Sequence, residues 1–117
     1  MEEYTLGTIE AKFADIIWKR EPIATNELIL ICEEEFNWKR TTTYTVLKRL
    51  MQKGIFQNQN GIVTSRIKKE DFYAHQSERY VENSFGGSLP QFLTAFTTRK
   101  KLSQKEIEEL KKIIEKL

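Results

Sequence analysis

The chain has 117 residues, 39% of them hydrophobic, and a formal net charge of +2; this allows one domain, or one small domain with an arm, around a single hydrophobic core. A lone cysteine, Cys32, excludes an intrachain disulfide and has no Cys or His at ligand spacing, so no metal site and no cofactor is expected. The first twenty residues hold four acids and no unbroken apolar run, and no stretch approaches membrane-spanning length, so the expectation is a soluble cytoplasmic protein without a signal peptide or membrane insertion.

In LGTIEAKFADIIWKR, Leu6, Ile9, Phe13, Ile16 and Ile17 recur at helical spacing, which predicts helix 1 over about 8 to 20 with Thr8 as its N-cap. Glu21-Pro22 stops it. ATNELILICEEEF predicts helix 2, with Leu28, Ile31 and Cys32 inward. Glu33, Glu34 and Glu35 crowd its C-terminal end, where the helix dipole disfavours anions. They are expected to face water.

Helix 3 is predicted from about Arg40 to Lys53, with Gly54 following as a C′ residue. IFQ is then a short strand, NQNG a turn whose Asn-Gly pair favours a two-residue hairpin, and IVTSRI the returning strand. Three helices followed by a two-stranded hairpin make a winged helix-turn-helix, assigned to residues 1–69. The protein is therefore mainly α.

Residues 70–117 differ in kind. They read as three short helices, each with one apolar face: Phe72, Tyr73, Tyr80, Val81 and Phe85 before Gly86-Gly87, then Leu89, Phe92, Leu93 and Phe96 after the capping Ser88 and early Pro90, then Ile107, Leu110, Ile113, Ile114 and Leu117 after the capping box of Ser103 and Glu106. Such thin faces cannot form a core alone, and each large side chain needs another surface to gain its about 1.5–3 kcal/mol of burial. Packing back on the winged helix is one outlet. Self-association through a two-fold pair of arms is the expected one, because an arm that follows the wing leads away from the first core.

Charge is distributed unevenly along the chain. Residues 37–69 hold eight basic side chains and no acid, whereas residues 1–36 hold three basic and nine acidic ones. A run without carboxylates suggests a polyanionic partner. Within it, Thr43, Val46, Leu47 and Leu50 cluster on about a third of the helix 3 circumference, by the 100° step of an α-helix, and form the buried face. Opposite lie Thr41, Thr45, Lys48 and Gln52, flanked by Thr42, Tyr44 and Arg49. Short hydroxyl residues in the first turns and long cations further along suit a recognition helix, since threonine can bond base edges or pack on a thymine methyl while lysine and arginine reach guanine or phosphate. An ordinary cationic solvated helix is the plain alternative.

The candidate base contacts are thus Thr41, Thr42, Thr45, Lys48 and Arg49. Candidate phosphate contacts are Thr25 and Asn26 at the start of helix 2, Lys39 and Arg40 before helix 3, Tyr44, Gln52 and, after the hairpin, Arg66. The uncharged tip NQNG is expected to contribute weakly.

LGTIEAKFADIIW, PIATNEL, NWKRTTTYTVLKRLMQKG, YVENSFGGSLPQFLTAF and KLSQKEIEELKKIIEKL resemble, in order and spacing, the penicillinase repressor (BlaI/MecI/CopY) family over nearly the whole chain. The resemblance implies a winged-helix homodimer that represses transcription by binding a palindromic double-stranded DNA operator. It places Thr42, Thr45, Lys48 and Arg49 at the DNA-facing positions and the C-terminal helices at the dimer interface. In the resistance branch it also implies relief of repression through a membrane sensor and cleavage of the arm, here near Ala95-Phe96, where this chain has Ala in place of that branch's Asn. The cysteine-rich tail of the copper branch has no counterpart in a chain ending Glu115-Lys116-Leu117.

An enzyme finds little support. His75 is the single histidine, and Gly86-Gly87 is a helix break without the strand-loop-helix context of a phosphate loop. Trp18 and Trp38 are expected as packing anchors. A winged-helix module that binds protein rather than DNA is the serious alternative, because the fold does not dictate the partner.

Overall fold

Helix α1 (Thr8–Arg20) fully buries Phe13, Ala14 and Ile17 in the computed structural model, which describes residues 6–117. Ile9, expected on the same stripe, is 46% exposed. The N-cap is Gly7 rather than Thr8: the Gly7 N–H donates to Glu10 Oε1 at 3.2 Å and Thr8 is already helical. Glu21 is extended and ends the helix before Pro22.

Ile23 and Ala24 form a short strand, β1 (Ile23–Ala24), that periodicity does not reveal. Helix α2 (Thr25–Phe36) follows, burying Leu28, Ile29 and Cys32 while Ile31 packs at the core's edge. Asn37 sits in the left-handed region with φ 57°, and its N–H donates to the Glu33 carbonyl at 2.9 Å. That residue reverses the chain into helix α3 (Arg40–Gln52) after a three-residue turn.

Strands β2 (Phe56–Gln59) and β3 (Ile62–Ser65) pair antiparallel through a two-residue turn in which Asn60 has φ 54° and Gly61 φ 84°. Both central residues need positive φ in this turn type, which is why Asn-Gly specifies it. The wing hairpin has its two strands as expected, and β1 adds to β3 with Ile23 opposite Val63, extending the sheet to the order β1-β3-β2. Val63 and Phe56 point into the core, together with Ile55, Leu47 and Leu50.

Helices α4 (Lys69–Phe85), α5 (Leu89–Arg99) and α6 (Gln104–Glu115) complete the chain. Two compact units result, the first ending at Gln76 and the second spanning Ser77–Leu117, so the division falls within α4, seven residues past Lys69. Phe72 explains the difference. It is fully buried in the first unit's core with its ring 5.6 Å from that of Trp18, and Tyr73 packs beside it.

In the second unit the expected caps are present. The Ser88 hydroxyl accepts from the Gln91 N–H at 3.2 Å, and Ser103 and Glu106 exchange hydrogen bonds of 3.1 and 2.9 Å. Gly87, with φ 84°, turns the chain between α4 and α5, and a Cβ there would lie 2.9 Å from the Glu82 carboxylate. No residue from 77 to 117 is fully buried.

Candidate nucleic-acid interface

Amphipathic periodicity sets the two faces of α3. Thr43, Val46, Leu47 and Leu50 are buried as expected, and Thr41, Tyr44, Thr45, Lys48, Arg49 and Gln52 are exposed, with Thr42 half-buried. The helix therefore presents its hydroxyl and cationic stripe to the outside over its full length. Thr45 Oγ1 donates to the Thr41 carbonyl at 2.9 Å. This back-bond occupies the hydroxyl's only proton and leaves its lone pairs and methyl group outward. At the N-terminal end the Arg40 guanidinium lies 5.6 Å from the centre of the Tyr44 ring, so the two exposed side chains form one platform.

Two aromatic side chains hold the surrounding scaffold. Trp18 Nε1–H donates to the Ile67 carbonyl at 3.0 Å, and its ring contacts Phe56, Phe72 and Tyr73. Trp38 packs on Phe13 and Phe36, just ahead of α3. Both are packing anchors.

The start of α2 lies at the wing tip. The Thr25 N–H donates to the Gly61 carbonyl at 2.9 Å, and Ala24, the N-cap, supplies no side-chain bond. Asn26 is exposed beside this junction, as are Lys39 and Arg66 at their own positions. The wing is also tied to the end of α1, where the Ser65 N–H and hydroxyl both donate to the Glu21 carboxylate at 2.8 Å.

Glu10, Asp15 and Cys32 are among the ionisable groups shifted by their surroundings. Burial works against the Glu10 carboxylate, but hydrogen bonds from Arg49 and the Gly7 N–H and the charges of Lys53 and Arg49 outweigh it and hold it below the usual carboxylate range. Hydrogen bonds from Lys69 and Lys19, at 2.6 and 3.0 Å, lower Asp15. Burial pushes the Cys32 thiol up to about 11 against a weaker opposing interaction with Thr43, whose buried hydroxyl otherwise has no hydrogen-bond partner of good geometry.

Of the candidate base contacts, Arg49 differs from the rest. Its Nη1 donates to Glu10 Oε2 at 2.9 Å, so the structure commits this side chain to α1. Sequence reasoning missed Glu10 because nothing in the local pattern of either helix signals a partner 39 residues away.

Candidate dimer residues divide between the units. Tyr73 belongs to the first, packed against its core. In the second, Tyr80, Phe85, Phe92 and Phe96 form a chain of ring contacts with centroids 5.6–6.1 Å apart. Val81, Ile107 and Leu110 are half-buried, whereas Leu89 and Ile114 are more than 60% exposed and Leu93 is 37% exposed. Ala95 and Phe96 lie inside α5, both exposed.

Against known proteins, the family model described as penicillinase repressor matches residues 6–116. The chain belongs to the penicillinase repressor family. It is 29% identical over 114 residues to the penicillinase repressor of Bacillus licheniformis, covering 94% of this chain and 89% of that one. The methicillin resistance regulatory protein MecI of Staphylococcus aureus is 27% identical, with 97% of this chain and 95% of that one covered. Among solved structures, the monomeric form of Bacillus licheniformis BlaI in complex with the blaP half-operator matches with a TM-score of 0.50 and 28% identity, over 57% of this chain and 87% of that chain. The family assignment agrees with the winged-helix fold, and among the described residues no helix is long and apolar enough to cross a membrane.

Proposed function

We propose that this family member is a cytoplasmic transcriptional repressor that binds a palindromic operator as a homodimer, with α3 in the major groove. The uncovered stripe of Thr41, Thr45 and Lys48 on a rigidly packed helix carries the reading. It lies in a 33-residue run without a single carboxylate. The BlaI relative with a blaP half-operator supports duplex DNA as the ligand.

Thr41, Thr42, Thr45 and Lys48 face the bases. Thr45, its proton held by the Thr41 carbonyl, offers an acceptor to an adenine or cytosine amino group and a methyl to thymine. Lys39, Arg40, Tyr44, Gln52 and Arg66 take phosphates, as do Thr25 and Asn26 at the α2 N-terminus.

Dimerisation follows from what the second unit lacks. A polypeptide with no buried side chain between 77 and 117 but with exposed Tyr80, Leu89, Phe96 and Ile114 requires a second apolar surface, and a two-fold copy supplies the same one. Cleavage at Ala95-Phe96, the resistance-branch route of release, would need α5 to unwind first, because both residues are helical.

Selection of bound sequences from a random DNA pool by the purified protein tests both parts. The expected product is an inverted repeat with half-sites about one helical turn apart. Recovery of no shared sequence, or of single unpaired half-sites, would refute the reading.

A further inference from the structure

The stretch from Asn37 to Lys69 contains no acid, yet α1 delivers one to α3. Glu10 Oε2 lies 2.9 Å from Arg49 Nη1, and Oε1 lies 3.8 Å from Lys53 Nζ while accepting the Gly7 N–H. The Glu10 and Lys53 side chains are 17% and 14% exposed, whereas that of Arg49 is 52% exposed. We infer that Glu10 is a positioning residue that withholds Arg49 and Lys53 from DNA, so that α3 engages an operator through its threonines and Lys48 rather than through all of its cations. This rests on the proposed function.

The physical basis is competition for one guanidinium. Arg49 and Lys48 are consecutive, so about 100° of helix separates them and only one can point fully outward from the body; the structure gives that direction to Lys48 and turns Arg49 toward α1. A hydrogen bond between opposite charges at 2.9 Å is among the stronger protein contacts. Moving Arg49 to a phosphate would exchange one charge-assisted bond for another and leave a largely buried carboxylate with fewer partners, so little free energy is gained. A cation neutralised within the protein also releases no counterions from DNA. The bridge therefore sets a lower, less salt-dependent affinity for duplex of any sequence and leaves discrimination to the outward stripe.

The test measures binding constants against salt concentration for the full-length wild type, Glu10→Gln and Arg49→Gln, on the selected operator and on a random duplex of equal length. Glu10→Gln is expected to steepen the log-log slope by about 0.9 for each cation released, hence by about 0.9–1.8, and to tighten binding to the random duplex at low salt. Arg49→Gln is expected to keep the wild-type slope, because Glu10 retains Lys53 and the Gly7 N–H and the fold persists. A slope lowered by about 0.9 in Arg49→Gln would show that Arg49 already sits on a phosphate and would overturn the inference. So would a folded Glu10→Gln with an unchanged slope, since a merely structural bridge alters stability and not counterion release. Should Glu10→Gln fail to fold, Arg49→Gln alone decides. Flat salt dependence of the wild type on both duplexes would instead overturn the functional reading itself.

Discussion

Removing Phe72 tests where the first unit ends. Its ring is completely buried, 5.6 Å from Trp18 and edge-on to Tyr73 at 5.2 Å, yet it lies beyond the hairpin at which a winged helix ordinarily stops. Truncation after Lys69 deletes it, and truncation after Gln76 keeps it. Loss of a fully buried phenylalanine costs about 3–5 kcal/mol. A domain of this size has about 4–11 kcal/mol in total, at about 0.05–0.15 kcal/mol per residue. Fragment 1–69 should therefore be marginal, although the sequence pattern marks it as a complete winged helix. Urea unfolding followed by Trp18 and Trp38 fluorescence measures the difference. With a slope of about 1.5 kcal/mol per molar, the midpoint of 1–69 should fall about 2–3 M below that of 1–76. Full-length Phe72→Ala should show the same loss in its first transition. Midpoints for the two fragments agreeing within about 0.3 M would refute the assignment of Phe72 to this core.

Lys39→Ala, which removes a proposed phosphate contact, should weaken binding to all sequences and lower the salt slope by about 0.9, whereas Thr45→Ala should change site preference by about 1–3 kcal/mol at one base pair; competition binding against single-base operator variants separates the two. Leu89→Glu or Ile114→Glu, each placing a charge on the exposed apolar face of the second unit, should shift the protein to monomer in sedimentation equilibrium and weaken operator binding by more than tenfold, about 1.4 kcal/mol. Asp15 has a folded-state pKa below its ordinary value, so the stability it contributes is present above that ordinary value, near 3.8, and is lost as pH falls through the lower folded one; Asp15→Asn should flatten the acid limb of stability measured by urea titration. Cys32 is displaced in the opposite sense, to about 11, and the buried thiol should react with a thiol reagent at pH 8 only after unfolding.

Patterns that repeat within a few residues were readable from the sequence. The 3.6-residue period identified Thr43, Val46, Leu47 and Leu50 as the inner side of α3, and with them the outer stripe, because a helix fixes the angle between neighbours whatever it packs against. Asn60-Gly61 specified the hairpin through its positive φ angles, and Ser103 with Glu106 specified the start of α6 through reciprocal bonds three residues apart. Tertiary structure alone decided which long-range partners those elements meet. Trp18 bonds Ile67 from 49 positions away, Asp15 meets Lys69 across 54, and Glu10 takes Arg49 across 39. β1 escaped detection for the same reason, since two residues carry no period and their strand identity comes from β3 alone. Local periodicity determines which way a side chain points from its own element, but only folding brings a distant chain segment to that side, and here that step joined Arg49 to Glu10 and carried the first compact unit into α4.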